Sequence, residues 1–191
     1  MAIIVTVPPA VEPFTTEEVK QHLRITHNDE DGYINTLITV ARQKVENEVH
    51  RALITQTIVA TFDEFPDGYL IELERPPLIT VTSLKYKQSS DGVLTTLVAS
   101  NYDVDVASSP GRIVLKSGFS WPSLFYGSPN GVEVTYTAGY GTSADKIPSD
   151  LKHAMLYLIG QWFKNREPVD SFSQNIVPYS LDYLLGPYKV Y

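Results

Sequence analysis

The hydrophobic period of this chain changes twice, and those changes restrict its fold more than any other feature. Ile34, Leu37, Ile38, Ala41, Val45 and Val49 recur at intervals of three and four, the spacing that lines one face of an α-helix. From Ile54 the period becomes two. Ile54, Ile58, Ala60 and Phe62 alternate with Thr55, Thr57, Val59 and Thr61, and threonine and valine favour pleated strands. Helical spacing returns after Ile147-Pro148-Ser149, where Leu151, Ala154, Met155, Leu158, Ile159 and Trp162 share one stripe. Strands gathered in one run between helices exclude an alternating parallel α/β fold.

Turn chemistry divides the β block. Pro66-Asp67-Gly68, Pro76-Pro77, Ser90-Asp91-Gly92, Ser109-Pro110-Gly111 and the stretch from Gly127 to Gly131 separate candidate strands. These run Tyr69 to Leu73, Val81 to Lys87, Val93 to Val98, Tyr102 to Val106, Arg112 to Leu115 and Val132 to Thr137. Short strands at this spacing predict an antiparallel sheet or small barrel. In the helical part, Thr15-Thr16-Glu17-Glu18 is a capping-box pattern that opens a helix over about 16–24. Asn28, Asp29 and Asp31 offer caps for the second helix, and Ser180 to Leu185 reads as a short last one, closed by Gly186-Pro187.

The expected fold class is α+β: a helical core made of two N-terminal helices, one long C-terminal helix and a short terminal helix, with an inserted antiparallel β lobe. The expected domains are 1–53 with 138–191 for the helical core and 54–137 for the lobe. The short terminal helix is far below the ~12 to 15 residues needed for marginal stability alone, so other surfaces must cover its apolar and aromatic side chains.

Composition removes several function classes. The chain of 191 residues carries a formal charge of -7, so the basic footprint of a phosphate-gripping protein is missing. It contains no cysteine, which excludes disulfides and thiolate chemistry. The apolar start, Met1 to Val7, lacks a basic flank and stops at Pro8-Pro9, and no apolar run approaches the ~20 residues that span a bilayer.

Motifs that carry chemistry all meet objections. His22, His27, His50 and His153 are scattered without ligand spacing. Asn28-Asp29-Glu30-Asp31-Gly32 resembles part of a calcium loop, but a loop turning at Gly32 would begin at His27 and end at Ile38, neither able to serve; helix capping is the better account. Gly139-Tyr140-Gly141 precedes a helix as in a dinucleotide turn, yet Pro148 delays that helix by several residues. Gly118-Phe119-Ser120-Trp121-Pro122 lacks the last glycine of a nucleophile elbow. Asp103 with Asp105, Glu72 with Glu74, and Lys85 with Lys87 each share a strand face and read as solvated. No catalytic, cofactor-binding or metal-binding residue is assigned.

In chain order, Glu12-Pro13 with Glu17 to Arg24, Arg51-Ala52-Leu53-Ile54-Thr55-Gln56-Thr57, Arg75-Pro76-Pro77-Leu78, Pro110-Gly111-Arg112-Ile113, Tyr136 to Gly141, and Trp162-Phe163-Lys164-Asn165-Arg166-Glu167 resemble the head-tail connector (adaptor) family of tailed phages and phage-like particles. The resemblance spans nearly the whole chain. It implies a structural subunit of the virion neck, assembled in the host cytoplasm. The ring, a dodecamer, would lie beneath the portal protein and above a stopper or tail-completion protein, with double-stranded DNA passing through it non-specifically. No cofactor, membrane or catalytic residue is implied. The terminal segment is then the expected partner interface, through Tyr179, Tyr183, Leu184, Leu185, Tyr188 and Tyr191. The stretch from Gly118 to Gly131 has no counterpart in this picture. Two other classes stay open: a small hydrolase, which needs a cleft of convergent titratable groups, and a monomeric ligand-binding β module using Trp121, Phe125 and Tyr126 around a groove.

Overall fold

The first element of the computed structural model is a strand, β1 (Ala2–Val7), and it pairs antiparallel with β2 (Gln56–Phe62), more than fifty residues away. The structure describes residues 1–127, 129–166 and 177–190. Two units partition the chain: Met1–Pro9 with Thr55–Gly139, and Ala10–Ile54 with Tyr140–Tyr191.

Among the described residues the first unit holds eight strands. Besides β1 and β2 these are β3 (Leu70–Leu73), β4 (Leu78–Lys87), β5 (Leu94–Thr96), β6 (Tyr102–Asp105), β7 (Gly111–Leu115) and β8 (Val132–Ala138). They form two antiparallel sheets, one ordered β1-β2-β8-β4-β5 and one ordered β3-β7-β6. Strand β8 sits at the centre of the larger sheet because its alternation is complete: Val132, Val134, Tyr136 and Ala138 are buried and the residues between them are half-exposed. Ile58 and Ala60 of β2, Leu84 of β4, Ile71 and Leu73 of β3 and Ile113 of β7 complete this core. Two contacts tie one sheet to the other. The Tyr136 hydroxyl donates to the Glu74 carbonyl just beyond β3 at 2.8 Å, and Gly111 lies so close to β4 that a Cβ there would meet Leu78 Cβ at 2.4 Å.

The second unit is helical: α1 (Thr16–Leu23), α2 (Asp31–Val49), α3 (Ser149–Lys164) and α4 (Val177–Leu185). The box at Thr15 forms as read, with Glu18 N–H donating to the Thr15 hydroxyl oxygen at 3.2 Å and Thr15 N–H to the Glu18 carboxylate at 2.7 Å. That bond from the Thr15 backbone holds the Glu18 carboxyl below its ordinary value. The α2 stripe from Ile34 to Val49 and the α3 stripe from Leu151 to Ile159 meet in one core with Phe14, Val19, Leu53 and Ile54. Trp162 is only half-buried at the edge of that core.

The expected fold class needs correction. Among the described residues four helices accompany eight strands in two sheets, so the molecule is mixed α+β, and a helical core carrying one inserted lobe does not describe it. The chain opens inside the β unit, since β1 is an edge strand of the larger sheet. No single long C-terminal helix dominates either: α2 has 19 residues and α3 has 16. The cause is the long range of the pairing. Nothing local in Ala2–Val7 alternates, so only the distant partner β2 makes it a strand. The capping expectation at Asn28 to Asp31 also fails. Glu30 occupies the N-cap of α2 without a side-chain cap bond, while Asn28 accepts from the buried Lys20 ammonium and Asp31 pairs with it at 3.1 Å.

Candidate assembly surfaces

The terminal segment is anchored on its own helical unit at several points. Leu185 at the end of α4 is buried in the core, and Leu181, Leu184 and Tyr188 pack against it from the side. Arg51 Nε donates to the Tyr188 carbonyl at 2.6 Å, Val190 N–H to the Val49 carbonyl at 3.2 Å, and the Tyr188 hydroxyl to Asp150 at 3.3 Å. Lys189 reaches Glu48 at 2.9 Å, and its hydrogen bond, followed by that from Lys44, holds the Glu48 carboxyl below the ordinary range. The apolar cover that so short a helix requires therefore comes in part from α2 and α3.

The six residues expected at the interface thus divide. Leu184, Leu185 and Tyr188 are brought together on the core side, whereas Tyr183 is 84% exposed. Tyr191 and the side chain of Tyr179 lie outside the described residues.

The remaining candidate groups are engaged in local structure. Gly139 and Gly141 have φ of 138° and 158°, and a Cβ at Gly141 would meet Lys146 Cγ at 2.7 Å. A short 3-10 turn, Ala144–Lys146, follows before α3 opens at Ser149, so the glycines serve a turn and meet no helix N-terminus. Asp103 pairs with Lys116 at 3.4 Å, and Lys85 with Glu133 at 3.6 Å. Among the described residues no three or more His, Asp or Glu side chains gather as metal ligands, and no helix is long and apolar enough to cross a membrane.

Asp105 is the most heavily bonded carboxylate of the β unit. It accepts from the Ser108 hydroxyl at 2.7 Å, Arg112 Nε at 2.8 Å, and the Ser108 and Ala107 amides at 3.1 and 3.0 Å. Those bonds, the Ser108 hydroxyl first and Arg112 next, hold its carboxyl far below the ordinary range. The sign follows from the depressed folded value: this stabilisation is complete above the unfolded value near pH 4 and is lost as the pH falls beneath it. Asp105→Asn should reproduce the acid effect at neutral pH. Faster amide exchange at Ala107 and Ser108, with β8 amides unchanged, is the expected result; unchanged exchange at both would count against a role in holding the β6–β7 turn.

What the sequence reading missed lies in the buried charges. Arg42 on α2 donates through Nε and Nη2 to Glu12, at 2.8 and 3.1 Å, and through Nη1 to Glu46 at 2.9 Å. Glu46 turns its other oxygen to the Leu53 amide at 3.0 Å. Arg42 and Glu46 fall four apart on one helix, but that spacing alone looks like a solvated pair.

Comparison with known proteins completes the picture. Residues 14–96, from α1 through β5, match the sequence model of the phage gp6-like head-tail connector protein. No curated protein matches in sequence. In fold, the chain is similar to a chain in the neck of an empty gene transfer agent particle computed with C6 symmetry, with a TM-score of 0.83 and 23% identity over 100% of this chain and 96% of that one. It is also similar to a chain in the virion of the native particle, with a TM-score of 0.82 and 22% identity over 100% and 96%. A third match, in the native neck computed with C12 symmetry, has a TM-score of 0.76 and 23% identity over 98% and 96%. At these identities the likeness is one of fold, and it extends to both units. Residues 14–96 thus resemble the phage gp6-like head-tail connector protein in sequence, and the whole chain shares its fold with chains of gene transfer agent necks.

Proposed function

We propose that the chain is a structural adaptor subunit of a particle neck, one of a ring of twelve that joins a DNA-filled head to a tail. The observation that carries this reading is the family match over α1 to β5 on a fold that neck chains share end to end. In this reading the portal protein lies above the ring, a stopper or tail-completion protein lies below it, and double-stranded DNA passes through the centre. A formal charge of -7 on each copy suits such a channel, because an acidic wall makes no counterion-releasing grip on phosphates and lets DNA slide. The work is mechanical and electrostatic, with no catalytic residue assigned.

The partner interface proposed for the terminal segment comprises Tyr179, Tyr183, Leu184, Leu185, Tyr188 and Tyr191. Leu185 shapes it from within, as part of the core that supports α4, and Tyr183 is its outward contact. Light scattering coupled to size exclusion, on the chain alone and with a portal ring, is the direct test. A mass of roughly twelve subunits with the portal is expected. A chain that stays monomeric in both samples would overturn the adaptor reading and favour the monomeric β module. Tyr183→Ser should keep the helical signal and melting temperature yet abolish portal binding or ring formation. Full assembly by that variant would remove Tyr183 from the interface.

A further inference from the structure

The stretch from Gly118 to Gly131 plays no part in the adaptor reading, yet its described residues, 118–127 and 129–131, are tightly held. Trp121 stacks on Phe65 with ring centroids 4.7 Å apart and planes 5° from parallel, and its indole N–H donates to the Gly68 carbonyl at 2.9 Å. Leu124 bridges to Gln88, and Phe125 N–H donates to the Lys87 carbonyl at 3.1 Å. The Phe125 ring lies over Gly92, where a Cβ would come within 3.3 Å of it. Asn130 N–H donates to Asp63 at 2.9 Å, and Gly131 approaches the Asp63 carbonyl so closely that a Cβ would meet it at 2.5 Å. A loop pinned at this many points presents its side chains with little entropy left to lose on binding.

Between this loop and the turn at 63–68 lies an open cleft of about 840 Å³, large enough for several residues of an extended chain. Its chemistry is one-sided. Asp63, Glu64 and Asp67 line it, together with Trp121, Phe125 and Tyr126, and no lysine or arginine does. Among the described residues Glu64 and Asp67 have no hydrogen-bond or ion-pair partner. Lys87, which is not among the lining residues, donates to the Pro129 carbonyl at 2.6 Å. Tyr126 is 99% exposed and Phe125 is 42% exposed, while the Phe125 amide is held on the Lys87 carbonyl. Aromatic faces beside uncompensated carboxylates attract a cation twice, through the ring quadrupole and through charge, and guanidinium stems also cover apolar rings. The same carboxylates repel nucleic acid, and a neutral sugar would leave them uncompensated.

We propose that this cleft is a binding site for an extended polypeptide segment bearing arginine or lysine, supplied by a protein partner. The site is built from the β unit alone and stands whether or not the chain forms a ring. The test uses the full chain and fluorescently labelled peptides of repeating Gly-Pro-Arg, with repeating Gly-Pro-Glu and maltohexaose as controls. Saturable binding of the arginine peptide alone, weakened by salt, is expected, with backbone amide shifts concentrated at 63–68 and 121–127. The pair Glu64→Gln with Asp67→Asn, and separately Tyr126→Ala, should each weaken it by roughly tenfold while leaving melting unchanged, since all three side chains are exposed. Equal binding of the glutamate peptide, binding of the sugar instead, no saturable binding, or affinity retained in both variants would each overturn the proposal.

Discussion

Replacing Arg42 by alanine should destabilise the protein by about 3 to 5 kcal/mol, the range seen when one partner of a buried ion pair is removed. The size comes from what is left behind. Glu46, whose side chain is only 5% exposed, would keep the Leu53 amide as a partner and lose its cation, and Glu12 would lose both of its arginine bonds. An uncompensated carboxylate in that position must either desolvate at great cost or take up a proton. Urea unfolding of the purified chain, with the m-value compared against the parent, is the measurement. Arg42→Met combined with Glu46→Gln should recover much of the loss, because it removes the orphaned charge and keeps an amide oxygen to accept from the Leu53 N–H. A loss below about 1 kcal/mol for Arg42→Ala at an unchanged m-value would mean that the network is hydrated and contributes no more than a surface pair.

Tyr136→Ala should cost a similar amount, about 3 to 5 kcal/mol, for a different reason. Tyr136 is fully buried on the central strand β8, and removing its ring leaves a void between the two sheets that neither can close without shifting. Tyr136→Phe separates the two contributions. It keeps the ring and removes only the hydroxyl bond to the Glu74 carbonyl, so a loss of about 1 kcal/mol is expected. Burial, with the nearby Glu74 charge, pushes the phenol well above its ordinary value. A neutral phenol in the folded state against an ionising one in the unfolded chain means that stability falls as the pH rises above about 10. Tyr136→Phe should lack this alkaline loss. If the two proteins show parallel alkaline unfolding curves, Tyr136 is not the group responsible.

Both effects depend on features that a linear reading half showed. Tyr136 stood in the right strand with the right alternation, because Val132, Val134 and Tyr136 repeat at period two and a fully buried strand needs nothing more. Arg42 stood on the expected helix, but its burial depends on Glu12, thirty residues earlier and outside any element. The cleft shows the same division. Trp121, Phe125 and Tyr126 were visible as aromatics that a binding module would use. Asp67 read only as part of the Pro66-Asp67-Gly68 turn and Asp63 and Glu64 carried no reading, since their approach to that loop is a tertiary fact.

Local pattern alone determined the faces of α2 and α3, the capping box at Thr15, the six strands between Leu70 and Ala138 and the lack of thiol chemistry. Each of these follows from side chains a few residues apart, where periodicity and turn geometry act directly. Tertiary structure alone decided that β1 joins β2 at the edge of the larger sheet, that the strands divide between two sheets, and that Leu185 is buried while Tyr183 faces outward. Those outcomes are choices among partners far apart in sequence. Loop closure adds only ~0.6 kcal/mol per doubling of loop length, so separation scarcely discriminates between them, and the choice falls to the burial and hydrogen bonding of the assembled core.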